Sequence, residues 1–228
     1  LAEQVFPADD RRAEHSLDAY EVALRQGLGA GWSAYAKSGT SFRVANFDEN
    51  ACFFPPCAAV LLDPQEARAG ELGLEYEGAG RRGRVAMYDM RLEDEIYFSP
   101  LLGANVNLPP TKRRGIEFEG AWRAMRSLEL RASLALLEAK FRATGKDVPL
   151  VPESIATAGA HWSFAARSRL NVNLRYVGRQ RYDNDEANTF ARRQPAYGLV
   201  DAKLEHKAGR FELGLEVRNL FDKDYYSY

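Results

Sequence analysis

The residues best suited to chemistry form two groups, a pair of cysteines and a cluster of arginines. Cys52 and Cys57 stand in Cys-Phe-Phe-Pro-Pro-Cys. A disulfide clip is the simplest reading in an exported setting. A thioredoxin-type redox site uses only two intervening residues, after a strand and at a helix start. Zinc would need further ligands, yet His15, His161 and His206 are scattered. Phe53 and Phe54 between the cysteines are large aromatics able to anchor a ligand by stacking or to pack within their own loop. The second group is Arg179, Arg181, Tyr182, Arg192 and Arg193. Guanidinium groups pair bidentately with anionic oxygens, so this stretch suits an anionic ligand. Asp183, Asp185 and Glu186 are equally placed to neutralise it.

No Ser-His-Asp order, metal-ligand spacing or phosphate-binding glycine loop stands out. Glu93 and Glu95 share a strand face, as many paired acids of this chain do. Neither an enzyme nor a cofactor or metal is expected. With 31 basic and 32 acidic residues, the chain lacks the locally basic surface that nucleic acid requires.

The elements that must position these residues are strands, because apolar residues recur with period two nearly throughout. Segments near 17–26 and 31–43 are the weakest. In 71–77, Leu72, Leu74 and Tyr76 oppose Glu71, Gly73, Glu75 and Glu77, before a turn at 78–83. The next segment sets Ala86, Tyr88, Met90 and Leu92 outward against Asp89, Arg91, Glu93 and Glu95, and runs on to Ile96-Tyr97-Phe98. Residues 114–123 oppose Ile116, Phe118 and Trp122 to Arg114, Glu117, Glu119 and Arg123. Leu128, Leu130, Leu134 and Leu136 oppose Glu129, Arg131 and Ser133. Strands at 156–164, 170–179, 200–205 and 211–217 complete a set of ten, joined alternately by short turns and by long loops at 44–69, 99–112, 142–151 and 180–195.

No window approaches the roughly 18 apolar residues of a membrane helix. A composition of 46% apolar and 28% charged residues still hides a membrane barrel well, because lipid-facing and lumen-facing residues alternate. Aromatics at Tyr88, Trp122, Trp162, Phe164, Tyr176 and Phe211 sit near strand ends, as interfacial girdles do. Alternation alone also fits a soluble β-rich binding domain. Residues 1–15 lack the pattern of a signal peptide, which fits a cytosolic chain or a piece of a longer precursor.

The closing stretch RFELGLEVRNLFDKDYYSY places Phe211, Leu213, Leu215 and Val217 against Glu212, Gly214, Glu216 and Arg218, then runs through Asn219-Leu220-Phe221-Asp222 to Tyr225 and Tyr226. It resembles the final part of TonB-dependent outer-membrane receptors. Ser41-Phe42-Arg43-Val44-Ala45-Asn46 with Glu49, Leu62-Asp63-Pro64-Gln65 with Glu71-Leu72-Gly73, and Glu93-Asp94-Glu95-Ile96 resemble further strings of that family. So do Asn107, Arg114-Gly115-Ile116-Glu117, Pro149-Leu150-Val151-Pro152, and Asn184-Asp185 with Asn188. All of these read as fold-keeping residues rather than ligand contacts.

The resemblance implies an all-β fold, an antiparallel transmembrane β-barrel contributing about ten strands of a barrel of about 22. It implies that residues 1–228 are a C-terminal portion of that barrel, without the plug domain, the TonB box or the final strand. It implies the outer membrane of a Gram-negative bacterium, with short turns in the periplasm and long loops outside, and a disulfide between Cys52 and Cys57. The implied function is TonB-dependent uptake of a ferric siderophore or similar iron complex. The partners are TonB, outer-membrane lipid and that ligand, met by Phe53, Phe54, Arg179, Arg181, Tyr182, Arg192 and Arg193. An adhesin or structural barrel is the alternative.

Overall fold

The computed structural model describes residues 2–6, 11–50 and 61–226. Cys52, Phe53, Phe54 and Cys57 lie outside the described residues, and with them the disulfide and the aromatic anchor. Strand β1 (Ala2–Phe6) pairs with β2 (Arg11–His15) as a separate hairpin. Strands β3 (Tyr20–Gly29) and β4 (Trp32–Arg43) precede a single helical turn, α1 (Phe47–Asn50), and then come β5 (Gln65–Gly78) and β6 (Arg81–Glu93). A second separate hairpin joins β7 (Ile96–Ser99) to β8 (Ala104–Asn107). The chain continues through β9 (Thr111–Met125), β10 (Leu128–Phe141), β11 (Ser154–Ala165), β12 (Ser168–Val177), β13 (Tyr197–Ala208) and β14 (Phe211–Val217).

The main sheet has ten strands in the order β14-β13-β12-β11-β10-β9-β6-β5-β4-β3. Every neighbouring pair is antiparallel, so the expected meander of ten strands is present. Two-residue turns at Ala30-Gly31, Ala79-Gly80, Arg126-Ser127, Ala166-Arg167 and Gly209-Arg210 share one end, and the long connections share the other. The turn expected over 78–83 is therefore only Ala79-Gly80; both residues have positive φ, 50° and 71°, as a tight hairpin turn requires. No described helix is long and apolar enough to cross a membrane, which says nothing of strands.

The register sorts each strand into two faces. On one face, Arg25, Glu75, Arg84, Glu119, Arg131 and Arg175 line a single trough of about 790 Å³, which makes that face concave. The other face carries Leu72 (57% exposed), Met87 (55% exposed), Ile116, Phe118, Leu136 and Leu174. Towards the short-turn end this outer face ends in aromatics: Trp32 lies 4.9 Å from Tyr76, Trp162 lies 5.4 Å from Phe164, and guanidinium groups stack on Trp122 and Phe211. Leu128 to Leu136 spans nine residues, roughly 23 Å along the membrane normal at the usual strand rise and tilt. That matches the apolar band of about 25 Å expected of a membrane barrel.

Near the long-loop end the outer face turns charged, and here the expected facing of two strands is corrected. Asp89 stands in one cross-strand row with Arg114 and Glu138 on the outer face, in register with Met87, Ile116 and Leu136 one row below. Arg114, Asp89, Arg91 and Glu93 therefore point outward, and Ala86, Tyr88, Met90 and Leu92 point to the concave face. The reason is steric and electrostatic. Arg84 must face inward to reach Glu71 at 2.6 Å, and alternation carries Tyr88 inward with it. There the Tyr88 ring covers Gly115, where an added Cβ would lie 2.7 Å from ring atoms. The same device recurs at Gly73, beneath the ring of Tyr35. Tyr88 is thus the group that requires a residue without a side chain at position 115.

Ile96-Tyr97-Phe98 does not extend β6. Asp94 adopts a φ of 53° and turns the chain into the β7–β8 hairpin. Asn107 holds that turn, its amide donating to the carbonyls of Asp94 at 2.8 Å and Asp63 at 2.9 Å.

Gly73→Ala is expected to displace the Tyr35 ring and lower stability by about 1–3 kcal/mol, seen as a lower thermal midpoint in detergent. In a Tyr35→Ala background, which already lacks the phenol's bonds to Glu71 and Arg84, adding Gly73→Ala should cost little more. An unchanged midpoint in the single variant would remove the packing argument.

Candidate functional site

Two polar regions lie on the sheet. The first is the concave wall. Arg25 on β3 meets Glu75 on β5 at 2.8 Å and donates to Ser33 on β4 at 3.0 Å. Tyr35 donates to Glu71, Lys37 meets Glu71 at 3.0 Å, and Arg84 donates to Tyr35 at 2.7 Å. Arg84 also approaches Glu119 on β9 at 3.8 Å. The network thus crosses five neighbouring strands, and beyond it Ser133 bonds Thr157 at 2.7 Å. Alternation places these side chains inward, and opposite charges in neighbouring strands stabilise the register that brought them together.

The second region lies among the long connections, where 178–196 meets 142–153. Asp147 is its centre, accepting from Arg193 at 2.8 Å and from Arg181 at 3.5 Å. Arg181 also meets Asp185 at 3.2 Å, and Arg193 pairs with Glu153. Asp185 is only 1% exposed, and its carboxylate accepts from the N–H groups of Thr189 at 2.7 Å and Phe190 at 3.0 Å. A buried carboxylate needs such donors. Asn188, at a φ of 50°, bonds both the N–H and the carbonyl of Asp147. Gln180 and Gln194 face each other at 2.6 Å. Tyr97, from the β7–β8 hairpin, donates to Asp183, and burial, followed by that carboxylate, pushes its phenol up. Leu137, Ala139, Val148 and Val151 floor a recess of about 330 Å³ beside Asp147, Arg181 and Arg193.

Of the ligand residues expected from sequence, Arg181 and Arg193 are brought together, on a shared acid from a neighbouring loop. Arg179 and Arg192 are exposed and have no ion-pair partner among the described residues. Tyr182 is half-buried. Asp147, Glu153 and the Gln180–Gln194 pair were missed because no period-two pattern marks a loop residue, and Tyr97 because it reads as the end of the preceding strand although it lies in β7.

Between β4 and β5, Asn46 and Glu49 close a reciprocal cap on α1. The Glu49 N–H donates to Asn46 Oδ1 at 2.8 Å, and Glu49 Oε2 accepts from the Asn46 N–H at 2.9 Å. This is a capping box with asparagine at the N-cap, steadied by Arg43 at 2.7 Å. Burial raises the Glu49 carboxyl, but Arg43 and the Asn46 N–H outweigh it and hold the group below its ordinary 4.5.

The comparisons with known proteins agree with this geometry. Residues 16–220 match the family model described as TonB dependent receptor-like, beta-barrel. The chain belongs to the β-barrel of TonB-dependent receptors, and its apolar outer face lies in the outer membrane. It is 26% identical over 188 residues to the ferrioxamine receptor of Yersinia enterocolitica, covering 75% of this chain and 26% of that protein. The closed form of the ferric-catecholate import receptor Fiu from E. coli K12 matches with a TM-score of 0.74 at 21% identity, over 95% of this chain and 32% of that one. The ferric yersiniabactin uptake receptor FyuA from Yersinia pestis matches with a TM-score of 0.72 at 21% identity, over 89% and 32%. The chain thus spans about a quarter to a third of the relatives it matches.

Two outcomes are expected. Asp147→Asn leaves Arg181 and Arg193 without their shared charge, so limited proteolysis within 178–196 should accelerate several-fold, as expected for a loss of about 1–2 kcal/mol. Glu49 has a lowered folded pKa, so its stabilisation is present above the ordinary value and lost as pH falls through the lowered one. Hydrogen exchange at 46–50 should be slower in the native protein than in Glu49→Gln at pH 7, with the difference closing below pH 4.5. A difference independent of pH would rule out the carboxylate as its source.

Proposed function

We propose that residues 1–228 form part of the barrel wall and external loops of a receptor that takes up a ferric siderophore or similar iron complex, driven by TonB. The observation that carries this reading is the match of the family's barrel model over residues 16–220. The names of the ferrioxamine, ferric-catecholate and ferric-yersiniabactin receptors support an iron chelate as cargo. Lipid does not tolerate unpaired sheet edges, so in the assembled protein β3 and β14, the two edges here, are closed by further strands. The plug and the segment that meets TonB belong, in this reading, to sequence outside these residues. On the loop side, Arg179, Arg192 and Tyr182 offer charge and a ring to an anionic chelate, while Arg181 and Arg193 hold the loop in shape through Asp147. Phe53 and Phe54 would add stacking surface, and Cys52 with Cys57 a clip beside them.

A strain lacking the full-length gene is grown under iron limitation with ferrioxamine, enterobactin or ferric citrate as sole iron source. One of these should support growth only when gene and TonB are both present; growth on none of them, or growth without TonB, would overturn the proposal. Arg179→Gln with Arg192→Gln should weaken binding of an anionic chelate about three- to tenfold, since loop charges of this kind contribute about 0.2–1 kcal/mol each. Equilibrium binding to the purified receptor measures it.

A further inference from the structure

Two tyrosine rings lie across glycines of the concave wall, Tyr35 over Gly73 and Tyr88 over Gly115, and their surroundings differ. The Tyr35 phenol donates to Glu71 and accepts from Arg84 at 2.7 Å, and the same guanidinium lies 5.7 Å from the ring centre. Tyr35 is thus taken up by the charge network. The Tyr88 hydroxyl has no hydrogen-bond partner among the described residues, and its ring is half-buried. Tyr88 stands in one inward row with Glu71, Gly115 and Leu137, and the next row towards the long loops holds Ala69, Met90, Arg113 and Ala139. Here Ala67, Ala69, Tyr88, Met90, Leu137 and Val151 line a recess of about 720 Å³, a size suited to a small-molecule ligand. Leu137 and Val151 also line the recess beside Asp147 and Arg181, so the two adjoin.

The charges around this recess decide which part of a ligand enters it. Lys37 is held by Glu71 at 3.0 Å, and Arg113 holds both carboxylate oxygens of Glu95 at 2.6 and 2.7 Å. Glu21 and Glu117 line the recess without an ion-pair partner among the described residues. The recess therefore has no cation to spare, and the anionic centre of a chelate is better placed at the exposed Arg179 and Arg192. What faces the wall is the chelate's uncharged side. On the reading of the chain as part of an iron-chelate receptor, we propose that Tyr88 determines specificity: its ring stacks on an aromatic ring of the chelate, so that aryl-bearing chelates are preferred to aliphatic ones. Gly115 sets the height of the Tyr88 ring, and a ring already in place loses little freedom on binding. Ala67 and Ala69 leave room for a second ring at the usual offset of roughly 4.5–7 Å between centres. Met90 adapts to the edge of that ring, and the phenol is available to donate to an oxygen substituent.

Equilibrium binding of ferric enterobactin, whose catechols are aromatic, is compared with that of ferrioxamine and ferric citrate, which carry no ring, using the full-length protein in neutral detergent. The thermal midpoint is followed in parallel. Enterobactin should bind most tightly. Tyr88→Leu should weaken enterobactin about three- to tenfold, the range expected for one lost aromatic pair, and leave the other two chelates nearly unchanged, whereas Tyr88→Phe should keep the preference. Ala69→Leu, which fills the recess from β5 and leaves Tyr88 in place, should act in the same direction, and it decides the matter where Tyr88→Leu also lowers the midpoint. Tighter binding of ferrioxamine or ferric citrate than of enterobactin, an equal loss for all three chelates in the variants, or an undiminished enterobactin affinity in both Tyr88→Leu and Ala69→Leu would overturn this inference alone. Binding of none of the three would overturn the uptake reading with it. A lowered midpoint of Tyr88→Leu with full enterobactin binding would assign the ring to packing against another part of the protein.

Discussion

Hydrocarbon offers no partner to a backbone amide or carbonyl, so each strand of a lipid-facing sheet must satisfy its neighbour completely. In this chain that obligation is met by ladders running from β3 to β14, with register shifts only at Gly27/Gly29, Leu128/Glu129 and Trp162/Ala165, all beside the short turns. Once the ladder is fixed, so is the facing of every side chain, since a slip of one residue would turn a strand inside out. The charge network from Arg25 to Glu119, the aromatic girdle and the charged part of the outer wall all inherit their positions from it.

The strands were legible in the sequence because lipid on one side and a polar lumen on the other impose a simple two-letter alternation. Leu128 to Leu136 against Glu129, Arg131 and Ser133 is its clearest statement, and the structure keeps it. β6 was misread because it crosses two environments. Asp89 and Arg91 look like lumen residues only while the whole outer face is taken as apolar, and Tyr88 looks like a girdle residue only while Gly115 lacks a reason to be small. The wall rises beyond the membrane, and there the outer face becomes polar while Met90, Leu92, Leu137 and Phe141 face inward. Alternation persists through that change, but its meaning reverses.

The loop site was legible in composition and not in arrangement. Five ligand candidates were readable from their chemistry, yet nothing local says that Arg181 and Arg193 share Asp147 or that Asp185 is enclosed by the N–H groups of Thr189 and Phe190. Asparagine does much of this work: Asn46, Asn107, Asn188 and Asn219 each bond backbone groups of a turn or of a neighbouring connection. An amide side chain offers donors and an acceptor together, so it can clamp both sides of a foreign peptide, as Asn188 does at Asp147. Such clamps depend on the fold being formed, and a single sequence does not reveal their partners.

The alternation of two-residue turns with longer connections bears on how the wall is assembled. Every strand of the main sheet pairs with its nearest sheet-forming neighbours in sequence, and only the β7–β8 hairpin is stepped over, between β6 and β9. Contacts of this kind close short loops and carry a small entropic cost, which favours rapid local formation. The chain can therefore build its sheet as a succession of hairpins, each new strand adding to the edge left by the last. The growing sheet keeps the edge of β3 open while the other edge moves outward strand by strand, so the wall lengthens from one side.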